Sequence, residues 1–116
     1  MTRARVNTIC ATFPGAAVSD PWGGGHDAWK VGGKMFACVG AIQTGVSVKT
    51  DSGETAQMLI DAGVGQKAPY FHRSWIYLPD TTDAAELRHR LTMSYHVIRA
   101  SLSKKLQATL AQEPPK

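Results

Sequence analysis

The sequence predicts an α+β domain in which an antiparallel β-sheet carries helices on one face. Three observations predict it. Asp51-Ser52-Gly53-Glu54 and Asp83-Ala84-Ala85-Glu86 each stand before an apolar helical run and read as helix starts. Gly32-Gly33 lies between two strand-like runs, Trp29-Lys30-Val31 and Lys34-Met35-Phe36-Ala37, and two glycines supply the positive φ of a tight hairpin. Val46 and Val48 alternate with Ser47 and Lys49, the period of a strand with two different faces.

The elements follow in order. Residues 3–11 read as a short helix stopped by Pro14-Gly15, and residues 13–27, rich in Gly, Pro and Asp, as a loop. Strands are expected near 28–32, 34–40 and 45–50. Asp51 as N-cap with Glu54 three residues on would satisfy two free backbone N–H groups, and acids suit the positive end of the helix dipole. That helix carries Ala56, Leu59 and Ile60 and ends near Gly63. A loop with Gly65 and Pro69 leads to a fourth strand at 73–78, ended by Pro79. Asp83 opens the longest helix. Its stripe of Leu87, Leu91, Ser94, Ile98 and Leu102 is directed at the sheet, and a polar stripe of Arg88, Thr92, His96, Arg99 and Ser103 at water. Ser103 caps a final helix from Lys104 to Ala111. Residues 1–112 make one domain, and 113–116 a frayed tail.

Length and composition narrow the class. A domain of 116 residues buries roughly 65% of its unfolded surface, enough for one core. No apolar run approaches the ~20 residues of a membrane span, and Met1-Thr2-Arg3-Ala4-Arg5-Val6 lacks the apolar centre of a signal peptide, so a cytoplasmic protein is expected. Cys10 and Cys38 share no metal-type spacing and are expected as reduced, small core residues. The net charge of +4 leans toward an anionic partner. Cations gather in acid-free stretches: Lys30, Lys34 and Lys49 in 28–50, Lys67 and Arg73 in 62–79, and Arg88, Arg90, Arg99, Lys104 and Lys105 in 87–112.

No reaction is legible. Gly23-Gly24-Gly25 invites a phosphate-loop reading, but around Gly33-Lys34 the template meets Ala28 in place of its first glycine and Met35 in place of its hydroxyl. His89 and His96, seven residues apart on one helix, lie roughly 10 Å apart, too far to share an ion. His26 and His72 read as loop residues, and there is no Gly-x-Ser-x-Gly. The expectation is a non-enzyme with no metal and no cofactor.

Three binding readings remain. If Ile76 and Leu78 face the core, Trp75 and Tyr77 face outward beside Lys49 and Lys30, a surface able to stack bases and neutralise phosphates. Lys34 at the hairpin tip, with Lys67 and Arg73, extends that nucleic-acid patch. The competing view makes Trp75 a core residue and the lysines solvated strand decoration. A second surface, Arg88, Arg99, Lys104 and Lys105, suits an acidic protein partner. A third group, Trp22, Trp29, Tyr70 and His72, would rim a small-ligand pocket or plug the open end of the sheet.

The run Trp29–Ala37, with Phe13-Pro14-Gly15, Trp75-Ile76 and Ser94-Tyr95, resembles the MmcQ/YjbR family of small bacterial proteins from about Arg5 to Lys105. The resemblance implies a CyaY-like, frataxin-like antiparallel sheet with helices packed on one face. It also implies DNA binding through a double-wing arrangement of hairpins, and no reaction; because no recognition helix with base-reading residues at its start is legible, low sequence specificity is expected. Frataxin-type iron binding depends on an acidic ridge, whereas the first helix here carries Arg3 and Arg5 and no acid, so that property is not carried over.

Overall fold

Alternation along the strands decides the architecture. In a computed structural model that describes residues 2–42 and 44–110, the chain forms α1 (Thr2–Cys10), β1 (Ala16–Ser19), β2 (Asp27–Val31), β3 (Lys34–Val39), β4 (Val46–Lys49), α2 (Gly53–Asp61), β5 (Gln66–Lys67), β6 (Trp75–Leu78), α3 (Ala84–Ala100) and α4 (Lys104–Ala108). The strands make one antiparallel sheet in the order β1-β2-β3-β4-β6-β5. Val46 pairs with Leu78 and Val48 with Ile76, and all four are fully or almost fully buried. They join Val6 and Cys10 of α1, Ala56 of α2 and Leu87 and Leu91 of α3 in one core. The helices therefore cover one face, and Ser47, Lys49, Trp75 and Tyr77 belong to the other.

The β2–β3 hairpin turns at Gly32 and Gly33, with φ of 58° and 83°, a conformation that costs a residue with a Cβ. Its register shifts between Trp29 and Lys30, and the bulge lets both Phe36 and Ala37 enter the core. Phe36 meets Tyr95 edge-on at 5.4 Å, and Phe13 lies 4.8 Å from the same ring. Burial of each such side chain stabilises the fold by roughly 1.5–3 kcal/mol.

Ser94, from the sheet-facing stripe of α3, enters the β3–β4 seam. Its hydroxyl donates to the Phe36 carbonyl at 2.5 Å and accepts from the Lys49 N–H at 2.9 Å. The helix thus supplies the bridge where these two strands lack a direct ladder bond.

Several expectations need correction. β1 and β5 add two edge strands to the four foreseen. Ser52, not Asp51, caps α2, accepting from Thr55 N–H, because its extended backbone aims the hydroxyl into the first turn. Asp83 and Ser103 cap α3 and α4 as expected, while α4 ends at Ala108 rather than Ala111. His96 and Arg99 are buried, although the helical wheel directed them at water. α1 packs on α3, so more than one stripe of that helix is covered. Residues 113–116 lie outside the described residues. Among the described residues no helix is long and apolar enough to cross a membrane.

Candidate functional site

The side of the sheet away from the helices holds a cleft of about 690 Å³. Its floor is a row of small side chains. Cys38 pairs with Ser47, and Ser47 with Tyr77, so the three stand abreast on the central strands. Short side chains at Cys38 and Ser47 leave a depression beside the Tyr77 ring. The Tyr77 hydroxyl accepts from Gly45 N–H at 2.9 Å, a close approach with no room for a Cβ at Gly45.

Three loops wall the cleft with Trp22 and His26, with Ala41 and Ile42, and with Pro69, Tyr70 and Phe71. The glycine loop owes its shape to Asp20, whose carboxylate accepts the N–H groups of Gly25, His26 and Gly24. Chiefly the Gly25 bond, aided by the other two and the nearby His26, holds that carboxyl below its ordinary range. Trp22 meets His26 edge-on at 5.0 Å. Trp22, Ile42 and Tyr70 are more than half exposed, a cluster of apolar surface at one mouth. Tyr70 has φ of 71°, the left-handed region that a tyrosine rarely adopts, and its side chain is fully exposed.

The third group of the sequence reading divides. Trp22 and Tyr70 line the cleft. Trp29 does not, since it is buried on the helix side and donates its indole N–H to Asn7 Oδ1 at 2.9 Å. His72 stands apart from the cleft, in a chain of polar contacts with Ser74 and Lys49. Lys49 Nζ donates to Ser74 Oγ at 2.5 Å, and Ser74 Oγ lies 2.8 Å from His72 Nδ1. The backbone N–H of Ser74 also donates to that nitrogen, so Nδ1 is an acceptor and the ring hydrogen sits on Nε2. The trio has the composition of a serine nucleophile with bases, but Ser74 is buried and its hydroxyl is engaged by both Lys49 and His72.

The predicted nucleic-acid patch is dispersed. Lys30 and Lys49 share the open face, as expected. Lys34 leans to the helix side, its Nζ 3.5 Å from Ser101 Oγ. Lys67 pairs with Ile76 and so shares the helix-side face, and Arg73 pairs with Glu54 at 3.8 Å. Trp75 is on the open face but is no stacking platform, because Phe71 stacks on it at 4.6 Å and only 8% of it is exposed. Of the basic partner surface, Arg88, Lys104 and Lys105 are exposed. Arg99 is not, and its guanidinium donates to the Tyr95 hydroxyl at 2.7 Å, one helical turn back.

Both cysteines are buried, but only Cys10 lies among the core side chains. Cys38 sits on the opposite face at the cleft floor. Burial pushes both thiols up, with the Asp27 charge adding to the effect at Cys38, so neither is a ready thiolate. Among the described residues no three metal-ligating side chains cluster. The cleft residues that sequence reasoning missed, Cys38, Ser47 and His26, gave one signal, the parity that sets Cys38 and Ser47 opposite the core valines.

Comparison with known proteins bears on the fold. No curated protein matches the chain. A crystal structure of the Deinococcus radiodurans protein DR2400, with family-model domain DUF419, superposes with a TM-score of 0.83 at 21% identity. The match covers 93% of this chain and 86% of that one, a likeness of fold. A family model described as YjbR matches residues 11–97. That span runs from the end of α1 through nearly all of α3 and takes in the whole sheet, and on it the chain belongs to the YjbR family.

Proposed function

We propose that this chain is a binding module rather than an enzyme, and that the open-face cleft receives a planar, largely apolar group. The observation that carries this reading is the cleft itself, floored by short side chains and rimmed by exposed Trp22 and Tyr70. Its volume and apolar lining match those of small-molecule sites. The uncharged fluorophore N-phenyl-1-naphthylamine tests it. Saturable emission enhancement is expected, weakened in Tyr70→Gly and abolished in Ser47→Phe, which fills the floor. No enhancement with folded protein, or enhancement indifferent to both variants, sinks the reading.

Nucleic acid is the second reading, favoured by the two lysines on the same face as the exposed aromatics. An unpaired base is a planar group that the rim could stack, and cations on that face would meet phosphates. With few cations, binding would be modest, weakly sequence-specific and steeply salt-dependent. Fluorescence anisotropy with a labelled single strand and a labelled duplex, at about 50 and 200 mM salt, decides it. Preference for the single strand, reduced by Trp22→Ala, supports base insertion; absence of binding at low salt removes DNA as a ligand.

A further inference from the structure

Lys49 is the open-face lysine nearest in sequence and register to the cleft floor. It lies two residues beyond Ser47 on the same strand and the same face, about 7 Å away along β4. Directly across from it stands Trp75, and the ring stacked on Trp75 is Phe71, which also lines the cleft. The cleft wall and the surroundings of Lys49 are therefore continuous.

Lys49 is half-buried, and the bond of its ammonium in the structure is to a neutral hydroxyl. The ion pairs among the described residues are Arg3–Asp27, His26–Asp20, Arg73–Glu54 and Arg90–Glu86, and none includes Lys49. An ammonium carries three N–H groups, and Ser74 takes one. The Ser74–His72 arrangement aligns this donor set. Because Nδ1 of His72 is an acceptor, its Nε2–H is left to donate from an exposed ring. No carboxylate lines the cleft among the described residues. The nearby Asp20 spends its oxygens on three backbone N–H groups. Lys49 thus stands, without an acidic partner among the described residues, next to an apolar cavity.

Resting on the cleft reading above, we infer that the ligand is an amphipathic organic anion. Its ring or apolar body lies over Cys38, Ser47 and Tyr77, and its acidic group reaches Lys49 and the Nε2–H of His72. A charge-assisted bond to Lys49 in a half-buried setting separates such a ligand from a neutral one of the same shape. The geometry favours a single acidic group at one end over a polyanion, because the other open-face lysine, Lys30, lies two strands away on β2.

Two probes with one ring system test this. 1-Anilinonaphthalene-8-sulfonate carries an acidic group, and N-phenyl-1-naphthylamine does not. Near-UV circular dichroism confirms that each variant is folded before titration. The wild type is expected to bind the sulfonate more tightly than the neutral amine. Lys49→Met, which keeps an apolar stem, should weaken the sulfonate about tenfold and leave the amine within about twofold. Lys67→Met, on the other face, should change neither. Equal affinity for the two probes, equal loss of both in Lys49→Met, or the same sulfonate loss in Lys67→Met would each overturn the inference while the cleft reading stands. Failure of the neutral amine to bind folded wild type removes the cleft, and this inference with it.

Discussion

Tyr70 is held in a backbone conformation that its own side chain disfavours, and that makes a sharp prediction. A residue with a Cβ at φ of 71° costs roughly 1–2 kcal/mol relative to the right-handed regions. Glycine removes that cost but gives back roughly 0.5–1 kcal/mol of chain entropy. The phenol is fully exposed, so its removal forfeits no burial. Tyr70→Gly should therefore stabilise the protein by about 0.5–1 kcal/mol, seen as a rise in Tm of roughly 2–5 °C. Tyr70→Ala keeps the strain and should lie within about 0.5 kcal/mol of wild type. Urea denaturation followed by tryptophan fluorescence measures all three. The same glycine variant should bind N-phenyl-1-naphthylamine more weakly. A stability gain joined to a binding loss identifies Tyr70 as a residue kept at the expense of the fold. If Tyr70→Gly instead loses 1 kcal/mol or more, the side chain packs in solution and the strain argument is wrong.

Further predictions concern the seam, the thiols and the glycine loop. Ser94→Ala leaves the Lys49 N–H and the Phe36 carbonyl without their bridge and should cost about 2–4 kcal/mol in urea unfolding; a loss under about 1 kcal/mol would mean that the strands close on each other. In the native state both cysteines should react with Ellman's reagent far more slowly than in urea, Cys38 before Cys10, and a cleft ligand should slow Cys38 alone. Asp20 has a depressed pKa when folded, so its contribution is present above the unfolded value near 3.9 and is lost as pH falls through the lower folded value. Asp20→Asn should therefore be less stable than wild type at about pH 6, with the gap closing as pH falls below the ordinary carboxylate range; a gap that persists in acid would assign the effect to geometry rather than charge.

What could be read from the chain was local. The parity of Val46 and Val48 against Ile76 and Leu78 separates the two faces without any tertiary information, and Asp83 and Ser103 announce their helices by short-range hydrogen bonds. What could not be read depends on partners far along the chain. β1 reads Ala-Ala-Val-Ser and is largely exposed, with no apolar–polar alternation, and β5 has only two residues; both exist because β2 and β6 offer free edges. Trp75 is outward by parity yet covered, because Phe71 of the loop between β5 and β6 folds back over it. Arg99 falls on the polar stripe of a helical wheel, which omits both its bond to Tyr95 and the packing of α1 on α3. The cleft joins residues near 22, 40, 47, 70 and 77, a conjunction made only by the sheet order.

The short row Cys38–Ser47 has a consequence for how this site could change. Each of these positions is flanked along its strand by residues that face the helices, such as Val39, Val46 and Val48. Exchanging a cysteine for alanine, or a serine for glycine or threonine, would deepen or fill the floor by the volume of one or two atoms and leave the valines untouched. Selection could thus retune ligand size on one side of a strand while the other side keeps the chain folded, with adjacent residues answering to separate demands.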